Sequence, residues 1–198
     1  MSRPPRSPWS APTAWQALVD TGRVRAGQRV LVHAAAGGVG HFAVQIARHL
    51  GARVLGTARR DRHDWLTSLG ADELVDYTET AFEDVLGDVD IVLDLVGDEH
   101  DSTSMRSLQV LRPGGLLIAV PAGVSAELAA AAAAAGIRTS SFLVEPDGAA
   151  LQRIAELIDA GALTAEVAEV FPLAEAARAH ARGEAGHARG KLVLQIAS

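Results

Sequence analysis

Residues 28–40 read Gln28-Arg29-Val30-Leu31-Val32-His33-Ala34-Ala35-Ala36-Gly37-Gly38-Val39-Gly40, and their order decides the fold. A short apolar run, Val30 to Val32, ends in small residues and then in Gly37, Gly38 and Gly40. Beyond it Phe42, Val44, Ile46, Ala47 and Leu50 form an amphipathic helical pattern. Strand, tight glycine turn and helix make the unit that seats the pyrophosphate of a dinucleotide. The turn aims backbone N–H groups at the phosphates, and the helix N-terminus adds about half a positive charge. The pattern is Ala35-x-Gly37-x-x-Gly40, with alanine at the first glycine of the common form. A bare glycine pattern says little, whereas one between a strand and a helix says much more. Gly37, Gly38, Val39 and Gly40 are therefore candidate cofactor ligands.

Working outward, strands are expected at 29–34, 53–57, 73–76, 90–95, 115–120 and 138–144. Helices are expected at 13–21, 39–50, 62–69, 79–86, 100–110, 125–135 and 147–160. Strands separated by helices of roughly 10 to 15 residues imply a parallel sheet covered on both faces. Asp90-Ile-Val-Leu-Asp-Leu95 is mostly apolar, as a central strand buried on both sides should be. The fold class is thus α/β, a doubly wound Rossmann sheet of order 3-2-1-4-5-6. Residues 1–12 read as an irregular segment, and 13–198 as one dinucleotide-binding domain. Its tail comprises a strand at 166–171, a helix at 173–182 and a last strand at 191–196.

Composition narrows the function classes. The chain of 198 residues is long enough for one domain with a sizeable core. It contains no cysteine, which removes disulfides and thiolate zinc sites. A net charge of −6 argues against nucleic acid as a partner. No apolar run could span a membrane, the alanine-rich 129–135 stretch being too short. The Pro-, Ser- and Arg-rich start lacks the apolar core of a secretory signal, so a cytoplasmic setting is expected. Nearly every basic residue is arginine, and Lys191 is the single lysine.

Several motifs carry a family resemblance. Val30 to Gly40, Leu69-Gly-Ala-Asp-Glu-Leu-Val-Asp-Tyr77, Leu111-Arg-Pro-Gly-Gly115 and Gly186-His-Ala-Arg-Gly-Lys-Leu-Val-Leu194 occur in the order and spacing of one group. The chain resembles the zinc-independent branch of the medium-chain dehydrogenase/reductase superfamily, which holds quinone oxidoreductases and polyketide enoyl reductases. The resemblance runs from about Thr13 to the last strand and covers the cofactor domain only. The resemblance implies an N-terminal GroES-like domain that forms much of the family's substrate cleft, and the reading expected from these 198 residues is the cofactor domain without it. The tail strands, which in the family return to that domain, are expected to pair with each other or with a second chain.

The residues after the second strand point to the cofactor. An NAD-type site places an acid there to bind the ribose 2′-OH, about 20 residues after the glycine turn. Here Thr57 is followed by Ala58, Arg59, Arg60, Asp61 and Arg62. Guanidinium forks suit the 2′-phosphate of NADP(H). Arg59 and Arg60 are the expected ligands and Arg62 a weaker one, with Asp61 opposing; a solvated charged turn is the alternative. The resemblance implies that Tyr77 lies at the 2′-phosphate end and Thr13 near the nicotinamide. Tyr77 could equally be an interfacial aromatic. Thr13 could also cap the first helix, with Gln16 completing a capping box. The strand-end loops Leu95-Val96-Gly97 and Val120-Pro121-Ala122-Gly123 should border the nicotinamide.

No catalytic residue stands out. Asp98-Glu99-His100-Asp101 follows the fourth strand and could supply an acid/base pair, but helix capping with a negative first turn explains it as well. His33 is expected to be packed and hydrogen-bonded, and His41 and His49 lack a complete metal-ligand set. Neither a G-x-S-x-G elbow nor H-E-x-x-H is present.

The expected function is NADPH-dependent reduction of a quinone or enone. The other reading is a non-redox cyclase- or isomerase-like enzyme, or a binding module, on a retained Rossmann scaffold. Apolar residues Ile137, Phe142, Leu143 and Val144 predict a homodimer through the strand at 137–144. A separate substrate-domain subunit is a further possible partner, besides a small-molecule substrate.

Overall fold

The computed structural model describes residues 9–99, 101–185 and 189–196. Helix α1 (Ser10–Trp15) runs into a π-helical turn (Gln16–Thr21) and is followed by β1 (Arg29–Val32), α2 (Gly40–His49) and β2 (Arg53–Thr57). A 3-10 turn (Arg60–Arg62) leads to α3 (His63–Ser68), β3 (Glu73–Val75), α4 (Phe82–Val85) and β4 (Val89–Asp94). Then come α5 (Thr103–Ser107), β5 (Leu111–Ala119), α6 (Ala126–Ala134), β6 (Arg138–Ser141) and α7 (Gly148–Asp159). The tail adds β7 (Val167–Pro172), α8 (Ala176–Glu184) and β8 (Lys191–Gln195). Strands β1 to β6 form one parallel sheet in the order 3-2-1-4-5-6, the doubly wound arrangement expected from the sequence. None of the helices among the described residues is long and apolar enough to cross a membrane.

Side-chain alternation along the strands divides the core in two. Val30, Val32, Val54, Ile91, Leu93, Leu116 and Ile118 face α1, α2, α3 and α7. Leu31, Leu55, Val92 and Leu117 face the opposite way, against Phe82 of α4 and Leu128 and Ala132 of α6. Both sets are buried, which is why the strands are apolar at consecutive positions.

The boundaries differ from the sequence reading where local chemistry intervenes. Helix α1 starts at Ser10, because Pro12 is tolerated in a first helical turn, where its missing N–H costs nothing. Thr13 is therefore not a cap: it is buried within the helix, and its hydroxyl donates to the Trp9 carbonyl at 2.6 Å. Gln16, expected to complete a capping box, instead reaches Glu145, donating to its carbonyl at 2.9 Å and accepting from its N–H at 3.0 Å. Strand β5 begins at Leu111 and takes in the Arg112-Pro-Gly-Gly115 turn through a register shift opposite Val89 and Ile91. The tail strands β7 and β8 pair with each other, in parallel, as a separate two-stranded sheet.

The approach of α2 to β1 is the tightest packing at the turn. A methyl group on Gly40 would sit 2.7 Å from the Ala35 carbonyl oxygen and closer still to that of Ala34. The left-handed backbone of this turn falls on Ala34 (φ 49°), one residue before the position aligned with the motif's first glycine. Ala35 itself packs toward Gly56 of β2, where an added methyl would come 3.0 Å from the Ala35 Cβ.

Below the turn, His33 ties three elements together. The Ser107 hydroxyl donates to the Thr103 carbonyl at 2.7 Å, so it accepts from His33 Nε2–H at 2.9 Å. His33 Nδ1 then accepts from the Thr57 hydroxyl at 3.1 Å, and Thr57 Oγ1 accepts from Ala34 N–H at 3.3 Å. Burial lowers the imidazole pKa to about 4, against the opposing pull of Asp94 and Asp101, so His33 is neutral.

Two predictions arise from this packing. Gly40→Ala should cost about 3 kcal/mol or more of unfolding free energy in urea, whereas Ala34→Gly should add about 0.5–1 kcal/mol by relieving the left-handed alanine. His33 also confers a pH dependence whose sign is fixed. Between about pH 6.5 and about pH 4 the unfolded chain binds a proton that the native imidazole does not, so stability falls with falling pH. The full contribution, on the order of 3 kcal/mol, is present above about pH 6.5. Urea midpoints measured across this window should lose a one-proton slope in His33→Asn.

Candidate dinucleotide-binding site

The ends of β1, β2, β3 and β4 open onto one cavity of about 350 Å³. It begins at the glycine turn, with Ala34, Ala36 and Gly37 along one wall and the His33–Thr57 pair in its floor. Phe82, Arg106, Asp101 and Thr103 close the far side. Asp94, fully buried at the end of β4, shapes the loop above: its Oδ1 accepts from the N–H groups of Val96 at 2.8 Å and Gly97 at 3.1 Å, while Oδ2 accepts from the Ser104 hydroxyl.

At the mouth the structure brings Arg59, Arg62 and Tyr77 together. Arg59 Nε donates to the Tyr77 hydroxyl at 3.3 Å, and the tyrosine ring stands half exposed above the opening. Asp76 orders the same corner, accepting from the N–H groups of Arg60 at 2.8 Å and Thr78 at 2.9 Å. The hydrogen bonds from Thr78 hold the Asp76 carboxyl below the usual carboxylate range. Arg60 lies in the 3-10 turn outside the cavity lining, so the second arginine at the mouth is Arg62, with Asp61 3.4 Å from its Nε. The 3-10 geometry accounts for the exchange: with three residues per turn, Arg59 and Arg62 share a face and Arg60 does not.

Other candidate residues fall around this cavity or away from it. Thr57 and Val96 line it, and Gly97 (φ 84°) packs beside Pro121 at the neighbouring strand end. Pro121 and Ala122 are exposed and lie outside the cavity lining, as does Thr13 in α1. The acidic cluster after β4 acts at the start of α5: Asp98 accepts from the Met105 N–H at 3.1 Å, and Asp101 accepts from the Thr103 hydroxyl and pairs with Arg106 at 3.2 Å. His100 lies outside the described residues. Arg106 also grips Glu83 through two hydrogen bonds of 2.7 and 2.8 Å, which keep that carboxyl below its ordinary range.

The glycine turn presents an anion cradle. Among the described residues, the backbone N–H groups of Gly38, Val39 and Gly40 have no protein acceptor, and they stand at the N-terminus of the ten-residue helix α2. Sequence reasoning passed over the cation beside them. Lys191, at the start of β8, lies so close to the turn that a methyl group on Gly38 would meet its Nζ at 2.9 Å. Nζ donates to the Ser10 hydroxyl at 2.9 Å, and burial pushes its pKa down. The one available signal was that Lys191 is the only lysine in an arginine-rich chain. Among the described residues, no group of three or more His, Asp or Glu is arranged to hold a metal ion.

Comparisons with known proteins agree with this geometry. Residues 69–194 match the family described as zinc-binding dehydrogenase. NAD(P)H oxidoreductase RTN4IP1, mitochondrial, of Danio rerio is 33% identical over 96% of this chain and 55% of its own length. The quinone oxidoreductase of Coxiella burnetii superposes with a TM-score of 0.89 and 34% identity, over 96% of this chain and 59% of that one. The Escherichia coli quinone oxidoreductase complexed with NADPH gives a TM-score of 0.85 and 26% identity, over 96% and 64% respectively. The chain thus spans little more than half the length of these proteins, the share that contains the glycine turn, the parallel sheet and the β7–β8 tail. On its sequence and its fold, this chain belongs to the zinc-binding dehydrogenase family, beside the quinone oxidoreductases.

Proposed function

We propose that the chain is the NADP(H)-binding domain of a reductase acting on quinones or other conjugated carbonyl compounds. The observation that carries this reading is the mouth of the cavity. Arg59, bonded to Tyr77, and Arg62 gather where β2 ends, a position at which an NAD-type site would have a carboxylate. Forked guanidinium donors and a phenol hydroxyl suit a phosphate on the ribose 2′-oxygen. The residues present fit the rest of a dinucleotide. Gly40 lets α2 begin against the Ala34 and Ala35 carbonyls, and the N–H groups of 38, 39 and 40, without a protein acceptor among the described residues, stand at that helix N-terminus, where a pyrophosphate would be held. Thr57 and the loop at Val96 and Gly97 border the same trough, and Pro121, Ala122 and Thr13 lie toward the nicotinamide side in this reading.

When bound, NADPH supplies a hydride. The protein's part is to hold the nicotinamide against the Asp94-anchored loop and to shield the reacting carbon from water. We assign no proton donor within this chain. Asp98 and Asp101 are engaged at the start of α5 and are left out of the chemistry. The reaction is read as zinc-independent and cytoplasmic, in keeping with a sequence that contains no cysteine.

The substrate side is completed by further protein: a second copy, a separate substrate-domain subunit, or additional sequence in a longer form of the chain. For the second copy, β6 is the outer strand of the large sheet, and Leu143 just beyond it is 84% exposed. Two-fold pairing of β6 edges would cover both. Light scattering at micromolar concentration should give a dimer, and a monomer would remove this part of the reading.

Nicotinamide fluorescence tests the cofactor. NADPH should bind at micromolar concentration and NADH at least about tenfold more weakly, since the 2′-phosphate contacts are charge-assisted. Arg59→Glu/Arg62→Glu should abolish that preference while leaving the weaker NADH affinity in place; equal affinities in the parent chain would sink the NADP(H) assignment.

A further inference from the structure

The cavity carries its open hydrogen-bonding groups at two ends. Ala34, Ala36, Ala58 and Val96 give it apolar walls, and the polar pair in its floor is already engaged. His33 commits one ring nitrogen to Ser107 and the other to Thr57, whose oxygen also accepts from the Ala34 N–H. At the mouth stand Arg59, Arg62 and Tyr77; at the far end stand Asp101, Thr103 and Arg106. Apolar walls hold a flat ring but leave its rotation unset, so the few polar groups decide how it lies. With the floor engaged, the far end is where a ring edge would be read.

That end has more acceptors than its one cation matches. Arg106 lies over the Phe82 ring, 4.8 Å from its centroid, and grips Glu83 with Nε and Nη2 at 2.7 and 2.8 Å. Its third nitrogen, Nη1, donates to Asp101 Oδ2 at the longer distance of 3.2 Å. Glu83 lies outside the cavity lining, so the guanidinium charge is matched chiefly behind the wall. Asp101 is the carboxylate left at the cavity, with its side chain 55% exposed. The Thr103 hydroxyl donates to its Oδ1, yet a carboxylate has about four acceptor positions in all. With two carboxylates to one guanidinium, this wall is a net acceptor.

We propose that Asp101 reads the amino edge of the dinucleotide's adenine and so selects a 6-aminopurine over a 6-oxopurine. This rests on the dinucleotide reading given above. With the pyrophosphate at the glycine turn and the 2′-phosphate at Arg59, the base is the part left to enter the cavity. An exocyclic amino group donates, and an ionised carboxylate accepts. A carbonyl in its place would set two acceptors against each other. A charged acceptor covered by the base and left without a donor is what makes such a site selective. Of the acidic run after β4, Asp101 thus serves recognition and takes no part in hydride transfer.

Nicotinamide fluorescence on the full chain tests the proposal. NADPH should bind about 10- to 100-fold more tightly than its deamino analogue, in which hypoxanthine replaces adenine, the size expected for one charge-assisted contact. Both ligands carry the same phosphates, so the ratio reports the base edge alone. Asp101→Asn should abolish that ratio, since an amide offers a donor as well as an acceptor. The same variant should keep the parent's preference for NADPH over NADH. Equal affinity of the parent chain for NADPH and the analogue would overturn the proposal. So would an Asp101→Asn chain that retains the parent's ratio, which would reduce Asp101 to a brace for α5. The parent-chain comparison decides the matter even if the variant misfolds. Failure of the parent chain to bind NADPH or NADH would instead refute the underlying cofactor reading, and this assignment with it.

Discussion

The closeness of Gly40 to the carbonyl oxygens of Ala34 and Ala35 is the constraint on which the rest of the molecule depends. Because no side chain separates them, α2 can start directly at the end of β1, with its N-terminal N–H groups gathered beside the strand end. That single approach fixes where α2 crosses the sheet, and through Phe42, Val44 and Ile46 it fixes one half of the core. It also sets the height of the anion cradle above the sheet. The Ala34 backbone bears the strain of the arrangement, while Ala35 finds its space only because Gly56 of β2 has no side chain.

Around that point the structure uses polar side chains as fasteners between segments far apart in sequence. Gln16 holds the Glu145 backbone, Gln45 holds Thr164, and His33 bridges β1, β2 and α5. Each pairs a buried side chain with groups that would otherwise lose their hydrogen bonds on burial. Asp94 does the same for the loop at Val96 and Gly97, holding the strand-end crevice in shape. The cavity owes its form to these fasteners as much as to its apolar lining.

Much of this was legible in the chain. Consecutive apolar residues in the strands, punctuated by glycine and separated by amphipathic stretches, were enough for the sheet order, since few topologies satisfy short right-handed crossovers. Arg59, Thr57 and Gly37 could be nominated from their positions relative to strand ends, and Tyr77 from the family resemblance, and the four meet at one cavity. Sequence position ranks Arg60 ahead of Arg62, whereas the 3-10 turn after β2 puts Arg62 and not Arg60 in the cavity lining, a difference that no local pattern announces. Thr13 and Gln16 misled for a similar reason. Their spacing fits a capping box, and only the packing of α1 against α2 and α7 shows that the helix begins earlier.

What the sequence by itself determined is the local grammar: a strand, a turn that tolerates only glycine at Gly40, a helix, and a repeat of that plan across the sheet. These follow from near-neighbour sterics and from periodicity, which are properties of contiguous residues. What only the tertiary structure decided is every arrangement of groups separated by long stretches of chain. Lys191 and Ser10 meet over Gly38 although they are 181 positions apart, and β7 pairs with β8 across the intervening helix. Such contacts depend on loop closure and on the packing of whole elements, so no local pattern announces them.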